Sequence, residues 1–305
     1  MARLAFNSTG GGWSNLDKPG GRVFFVGGGT VSAVNRGGSG IKASDKNDGL
    51  TPERPLATID GARGAHNKCV TSRGDTIVLL PGSVTITAAM VFDSNDITLT
   101  GIDPNGTINP SAIIVNGAID GIAVTGANVV IENLHFPAST ASATSRINAG
   151  SAGLTVRGCT FECGANDAET ITVNSAGDDL LVENCRFYIT ANGPEKAIEI
   201  EAVGVNRLIV RNCSFTGGTN TNKWDTGAIN SAVAHTNCLI DNNTFYEGIA
   251  IEFSAAATGI ISRNLLGEGF TLGDGIDPGS CMCFENYEAD AIDQSARIFP
   301  ATIAS

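Results

Sequence analysis

A segment of eight residues recurs seven times along the middle of this chain. It reads VVIENLHF at 129–136 and then LTVRGCTF, LLVENCRF, LIVRNCSF, CLIDNNTF, IISRNLLG and MCFENYEA. The segments align on a turn residue that is usually Asn, at Asn133, Gly158, Asn184, Asn212, Asn242, Asn264 and Asn286, with spacings of 25, 26, 28, 30, 22 and 22 residues. A near-constant period of this size is typical of stacked repeats in which each repeat forms one coil. We therefore predict one solenoid, not the two domains that a length of 305 residues suggests.

Alternation within each segment predicts which side chains face the interior of the coil. Residues two and four before the turn share one face of a strand, as Val129 and Ile131 do in the first segment. A second inward column lies three residues after the turn and consists of Phe136, Phe161, Phe187, Phe215 and Phe245. Cysteines follow the turn directly in three coils, at Cys159, Cys185 and Cys213. At inward positions beside Phe we interpret these thiols as inert core, with a metal or redox site as the alternative.

Composition excludes several classes of protein. The net charge of −12 disfavours binding to nucleic acid and to anionic membranes. No apolar run approaches the length of about 20 residues that spans a bilayer, and the N-terminal sequence carries no classical secretory signal. The eight cysteines are therefore interpreted as thiols in a reducing cytosol and not as disulfides.

Two sequence patterns resemble known β-helix proteins. The stacked Asn turns, over roughly residues 75–290, resemble the right-handed parallel β-helix of the pectate-lyase-like superfamily. The stretch SDKNDGLTPERPLATIDGA (44–62), followed by RGDTIVLLPGSVTI (73–86), is similar to the opening of such β-helices, and the combination looks most like β-helix proteins of bacteriophage virions. The resemblance implies a short capping helix over the first coil that carries Leu56, Ile59, Ala62 and Cys69.

The expected fold is therefore all-β, a single-stranded right-handed parallel β-helix with a short N-terminal capping helix and extended terminal arms. We divide the chain into a Gly-rich N-terminal arm (1–45), an opening turn with the capping helix (46–74), the parallel β-helix (75–290) and a C-terminal tail (291–305).

Charges of alternating sign occupy the outward position one residue before each turn. They are Glu132, Arg157, Glu183, Arg211, Asp241, Arg263 and Glu285. Because adjacent coils lie about 4.8 Å apart, each charge would sit between two opposite ones. We interpret this column as a structural ion-pair ladder that also sets the register of the coils. The alternative makes its arginines the base of a polysaccharide lyase.

An apolar stripe is predicted on the same outward face, three residues before each turn. Its apolar members are taken as an interface and include Val130, Leu181, Ile209, Leu239 and Ile261. Exposed apolar patches of this extent mark contact surfaces. The occupant is either a second copy of the chain, in a homotrimer of the kind the resemblance implies, or the chain's own arms.

A carboxylate column follows the isoleucine of the third strand in each coil. Its acidic members are Glu199, Glu252 and Asp277, which are the candidate acid and base of a glycoside hydrolase. The competing interpretation is a hydrated acidic face without catalysis.

Metal and cofactor signals are weak in this sequence. Asp45, Asn47, Asp48 and Gly49 imitate the start of a calcium loop, but Leu56 stands where the final Glu is required. We therefore expect a turn there, no metal site and no cofactor.

The preferred function is a non-enzymatic structural protein of a bacteriophage virion, most simply a capsid decoration protein that assembles as a trimer. The chain would bind further copies of itself and the major capsid protein or another virion protein. It would fold in the host cytoplasm and then be located on the capsid surface. The alternative is a tail-spike-like β-helix that binds or cleaves polysaccharide.

Overall fold

The computed structural model describes most of the solenoid and little of the N-terminal arm. The described residues are 21–27, 43–60, 62–102, 110–138, 143–164, 168–174, 176–190, 196–202, 204–218, 223–224, 226–254, 256–267, 275–289 and 296–299. Their ordered elements are short β-strands and a single 3-10 turn at His66–Lys68. The strands form three sheets that run the length of the molecule.

Sheet 1 contains, in spatial order, β1 (Val23–Val26), β2 (Thr76–Leu79), β5 (Thr98–Gly101), β8 (Val130–Glu132), β11 (Thr155–Arg157), β14 (Leu181–Glu183), β17 (Ile209–Arg211), β20 (Cys238–Asp241), β23 (Gly259–Ser262) and β26 (Met282–Phe284). Sheet 2 contains β3 (Gly82–Ile86), β6 (Ser111–Val115), β9 (His135–Phe136), β12 (Thr160–Cys163), β15 (Arg186–Ile189), β18 (Ser214–Thr216), β21 (Thr244–Tyr246), β24 (Leu265–Leu266), β27 (Asn286–Ala289) and β28 (Ala296–Phe299). Sheet 3 contains β4 (Met90–Phe92), β7 (Asp120–Val124), β10 (Ser145–Ala149), β13 (Glu169–Val173), β16 (Lys196–Ile200), β19 (Ile229–Ser231), β22 (Ile251–Phe253) and β25 (Ile276–Asp277).

Each coil passes from sheet 1 through a tight turn to sheet 2, crosses a longer loop to sheet 3, and returns to sheet 1 one strand further along. Strands of successive coils pair in parallel, as β11 does with β8 and β14. The predicted all-β, parallel solenoid is therefore confirmed. A right-handed sense is expected of such parallel crossover connections.

The interior is a set of stacked side-chain columns. Phe136, Phe161, Phe187, Phe215 and Phe245 are fully buried in sheet 2, and neighbouring rings are 4.8 Å apart between centroids and within 12° of parallel. Leu266 follows Phe245 in the same register. The predicted phenylalanine column is therefore present and spans five coils.

The predicted capping helix is replaced by turns. Leu56 and Ile59 are buried at the start of the solenoid as expected, but Ala62 is exposed and Cys69 is only half-buried. The Asp45 carboxylate accepts hydrogen bonds from the backbone N–H groups of Ala57 and Thr58 and from the Thr58 hydroxyl. The Asp45 carboxylate thus takes up backbone N–H groups that would otherwise be available at the start of a helix. Glycines in the following segment also disfavour a helix.

Two stretches assigned to the terminal arms belong to the sheets. Val23–Val26 is the first strand of sheet 1, paired in parallel with β2, because Phe24 and Val26 alternate into the core. Ala296–Phe299, within the predicted tail, pairs antiparallel with β27 at the end of sheet 2. The arm residues 1–20, 28–42, 291–295 and 300–305 lie outside the described part of the chain.

Candidate functional site

The outward apolar stripe lies on sheet 1, and its register is continuous across the coils. Val130, Thr155, Leu181, Ile209 and Leu239 are direct partners in neighbouring strands, and each is half-buried. Alternation therefore placed these side chains on the correct face.

The prediction is wrong for Ile261, which is fully buried. Leu239 pairs with Ile260, and Ile260 pairs with Met282, so these two residues continue the stripe. Met282 is 64% exposed and Phe284, on the same face, is 46% exposed. The stripe therefore broadens and becomes more apolar at the C-terminal end.

A one-residue shift in the last two coils causes this error. Positive φ angles mark the turn at Asn133, Asn184, Asn212 and Asn242, but in the next coils the residues with positive φ are Arg263 and Glu285. Asn264 and Asn286 follow that position and are fully buried. Aligning every coil on an Asn therefore displaced the last two coils, and a one-residue slip exchanges the two faces of a strand.

The charge column forms discrete ion pairs along the stripe. Arg157 donates to the Glu132 carboxylate at 2.6 Å, and Arg211 donates to Glu183 at 2.7 Å. Strand pairing places Glu132, Arg157, Glu183, Arg211 and Asp241 in one column, as the sequence predicted.

The last two members of the ladder leave this register. Ser262 and Phe284 occupy the strand positions where Arg263 and Glu285 were expected. Arg263 nevertheless reaches back and donates through Nε to Asp241 at 2.9 Å. This hydrogen bond holds the pKa of Asp241 below its usual value, despite an opposing effect of burial. Three carboxylates of this column, Glu132, Glu183 and Asp241, are therefore each paired with an arginine, and Glu285 adds a fourth, exposed carboxylate near Arg263.

The predicted carboxylate column lies on sheet 3. Glu252 and Asp277 are direct partners in adjacent strands, whereas Asn230 separates Glu252 from Glu199. Glu199 is buried and forms an ion pair with Lys196. Of the three candidates, only Glu252 and Asp277 therefore stand side by side.

A second group of acids on sheet 3 was missed by sequence reasoning. The pKa of Glu169 is raised, first by burial and then by the negative charge of Glu199, with smaller contributions from Glu201 and Asp120. Lys196 opposes this shift and is the direct strand partner of Glu169. Asp120, Glu169, Glu199 and Glu201 thus form an acidic cluster on sheet 3, with Lys196 as a basic neighbour.

A polar cluster on the outer face of sheet 2 was also missed. Tyr188 donates its hydroxyl to Glu162 at 2.6 Å, and His135 Nε2 lies 3.2 Å from the same carboxylate oxygen. The Arg186 guanidinium lies over the Tyr188 ring at 4.8 Å. Burial, followed by the hydrogen bond to Glu162, raises the pKa of Tyr188 above its usual value. His135, Glu162 and Tyr188 come from three successive coils, and their spacing in the sequence forms no recognisable motif.

A shallow groove of about 450 Å³ opens at the corner between sheets 1 and 2. Its lining is mostly amide, hydroxyl and guanidinium groups, from Asn184, Asn212, Asn242, Ser214, Thr244 and Arg186, with Cys185 and Cys213 beside them. Asn242 donates to the Asn212 side chain at 2.7 Å, which joins two of these amides along the groove.

The residue after each turn belongs to one buried column, in which Leu134 is followed by three cysteines and then by three asparagines. Asn243, Asn264 and Asn286 form a buried ladder, in which each side-chain oxygen accepts the backbone N–H of the preceding coil at 2.9–3.0 Å. Cys159 and Cys185 occupy the same position in earlier coils and direct their thiols to the inner carbonyls of Ile131 and Val156. The three column cysteines, Cys159, Cys185 and Cys213, are buried and free.

The described residues contain no group of three or more His, Cys, Asp or Glu side chains able to hold a metal ion. In the same part of the chain, no helix is long and apolar enough to span a membrane.

Comparison with known proteins gives one structural likeness. Neither a protein family nor a curated protein matches the chain. A solved structure, ORF18 of Geobacillus virus E2, is similar over 74% of this chain, with 15% sequence identity and a TM-score of 0.40. The likeness spans 56% of the length of that protein.

Proposed function

We propose that this chain is a non-enzymatic structural protein of a bacteriophage virion, a capsid decoration protein that assembles as a trimer through sheet 1. The observation that carries the proposal is the outward face of sheet 1, where an apolar stripe runs beside three carboxylates that are each paired with an arginine. The resemblance of the repeat and of its opening turn to β-helix proteins of virions supports the choice of class.

Charge distribution explains why self-association would use this face. A molecule with a net charge of −12 repels its own copies. Sheet 3 carries clustered carboxylates, whereas on sheet 1 each of three acids is paired with an arginine. We therefore expect copies to approach through sheet 1 at a lower electrostatic cost than through sheet 3. Burying Val130, Leu181, Ile209, Leu239 and Met282 would supply the favourable free energy.

Sedimentation of the purified protein tests the assembly. We expect the wild type to sediment as a trimer, and Ile209→Glu and Leu239→Glu to sediment as folded monomers, because each places a carboxylate in the stripe. Thr216→Glu, on the outer face of sheet 2, is the matched control and should remain trimeric. A monomeric wild type at micromolar concentration would refute self-association, and a trimeric Leu239→Glu would move the interface elsewhere.

The position of the chain in the particle tests the virion function. Heads and tails of purified particles are separated and each is probed for this chain. Detection in heads supports decoration, and detection in tails supports a spike or fibre. Detection only in the soluble lysate would contradict both.

A polysaccharide-binding or polysaccharide-cleaving β-helix is the second candidate. The polar groove beside Arg186 favours binding. Separately, on sheet 3, Glu252 and Asp277 are direct partners on strands about 4.8 Å apart, which favours cleavage. Release of reducing ends or unsaturated products from host capsular polysaccharide, abolished by Glu252→Gln, would establish cleavage. Binding without product release would establish an adhesin.

A further inference from the structure

The thiols of Cys238 and Cys281 meet inside the C-terminal end of the solenoid. Their sulfur atoms are 3.6 Å apart, although 43 positions separate the residues in the chain. Cys238 is the strand partner of Gly259, and Gly259 directly precedes Ile260, the partner of Met282. Cys281 therefore follows Cys238 and Gly259 in the same column.

Gly259 makes this contact possible. A Cβ atom at Gly259 would lie only 2.6 Å from the Cys238 sulfur and 2.2 Å from the Cys238 carbonyl oxygen. The absence of a side chain thus leaves a gap in the middle coil, and the two thiols approach each other across it. Any other residue at this position would separate them.

The three cysteines of the column after the turn are held differently. Cys159, Cys185 and Cys213 are buried, and each points to an inner carbonyl oxygen 3.6–3.8 Å away. Cys281, in contrast, is half-buried in the last coil and lies between strands β25 and β26. It is therefore reachable by a small external reagent, and it is less constrained than a residue within a strand.

We propose that Cys238 and Cys281 form an oxidation-dependent disulfide that fastens the last coil of the solenoid. An external disulfide of the glutathione class is the oxidant. The Cys281 sulfur attacks it and releases one thiol, and the Cys238 sulfur then displaces the second thiol from Cys281. Two protein S–H bonds are lost, one S–S bond forms, and two molecules of reduced thiol carry away both electrons and both protons.

The hydrogen bond between the two thiols decides which of them ionises first. It lowers the pKa of Cys238, and the same hydrogen bond, followed by burial, raises the pKa of Cys281. Cys238 therefore loses its proton first, and Cys281 attacks the external disulfide after it has passed its own proton to the Cys238 sulfur. Burial, with the charge of Cys281, raises the pKa of the neighbouring Cys283 to about 12, which keeps that thiol protonated. A disulfide bond of about 2.05 Å requires the two sulfur atoms to approach by about 1.5 Å. Because the Gly259 coil lies between the two residues, the backbone of the last coil must also move toward Cys238 when the bond forms.

The cross-link would strengthen the end where the sheets are least covered. Met282 and Phe284 are exposed on the last strand of sheet 1. In a protein that folds in a reducing cytoplasm and then leaves the cell, the bond would form only after release. The cross-link itself does not depend on the proposed function, because the purified chain is sufficient to test it.

Peptide mapping of the native wild type after incubation with oxidised glutathione tests the proposal. Thiols that remain free are alkylated after the incubation. We expect the peptide with Cys238 to be joined to the peptide with Cys281, and the melting temperature to rise by roughly 5 °C. Cys281→Ser should abolish both the linked peptide and the rise, whereas Cys283→Ser should retain both. The wild-type mapping stands even if a variant fails to fold. Full alkylation at Cys238 and Cys281, a stable glutathione adduct on Cys281, or a bond to Cys283 would overturn the proposal.

Discussion

At the scale of single residues, the buried column after the turn shows how the coils are held in register. Asn264 donates to the Ile240 carbonyl at 3.0 Å and accepts the backbone N–H of Asn243 at 2.9 Å. A cysteine supplies only a weak thiol donor at the equivalent position in earlier coils. The amides therefore carry more of the register near the C-terminal end, where the repeat is shorter.

Replacement of Asn264 should destabilise the solenoid strongly. We expect Asn264→Ala to lower the free energy of unfolding by about 2–4 kcal/mol, because it leaves buried backbone groups of the neighbouring coils without partners. Asn242→Gly is the control, since Asn242 is exposed and Gly tolerates its positive φ of 53°. Urea unfolding of the two variants measures the difference, and equal losses would contradict a special role for the buried ladder.

His235 should make the stability depend on pH. The imidazole is buried, with Nδ1 3.2 Å from the Ser231 hydroxyl and its ring edge-on to Phe253. Burial lowers the pKa of His235, so the folded state binds a proton less readily than the unfolded state. The contribution of the neutral His235 to the free energy of unfolding is complete above the pKa of an unfolded histidine, about 6.5. It is lost as the pH falls from there toward the lower pKa of the folded state.

The measurement is the free energy of unfolding of wild type and His235→Gln between pH 7.5 and pH 5. The wild type should lose stability over this range more steeply than the variant. Parallel curves would show that His235 does not titrate on unfolding.

At the scale of elements, the pairing of strands decides what each side chain contributes. In the first ion pair of sheet 1, Glu132 is buried at 5% exposure, while Glu183 in the second pair is more open. The same chemistry therefore has different consequences in two neighbouring pairs, because an unpaired buried charge costs more than an unpaired solvated one.

Removal of the arginines should reveal this difference. Arg157→Met leaves the buried Glu132 without its partner and should cost about 1–3 kcal/mol. Arg211→Met affects an exposed pair and should cost under about 1 kcal/mol, with a dependence on salt. Urea unfolding at low and high salt measures the free energy of unfolding of both variants. A loss for Arg211→Met as large as that for Arg157→Met would contradict a dependence on exposure.

At the scale of the whole molecule, each coil contacts chiefly its two neighbours. Stability in such a solenoid is approximately a sum of coil and interface terms, so the ends open most readily. The N-terminal end is closed by Leu56 and Ile59, whereas the last strand of sheet 1 exposes Met282 and Phe284. The two ends should therefore differ in local stability.

Hydrogen exchange should follow this asymmetry. We expect the slowest exchange in β11, β14 and β17, intermediate exchange in β2, and the fastest exchange in β26. Trimer formation through sheet 1 would add protection along the stripe, and oxidation of the Cys238–Cys281 pair would add it at the C-terminal coil alone. Uniform protection from end to end would contradict the nearest-neighbour description.

Much of this architecture could be inferred from local pattern. The spacing of the segments predicted the coils, and alternation placed Ile131 inside and Val130 outside, because both depend only on residues adjacent in the chain. The placement of Glu199 and Glu252 in one column of sheet 3 could also be predicted, because each directly follows the inward isoleucine of its strand. The choice of Val23–Val26 as a strand did not follow, because its partner, β2, lies about 50 residues away.

Tertiary structure alone decided the register of the last coils and the groups that meet there. Asn occurs both at and after the turn in CLIDNNTF, so the pattern could not show that Arg263 takes the left-handed turn while Asn264 enters the core. That choice depends on hydrogen bonds to Asn243 and Asn286 in neighbouring coils. The meeting of Cys238 with Cys281 likewise requires the gap at Gly259, a property of three stacked coils that no single segment contains.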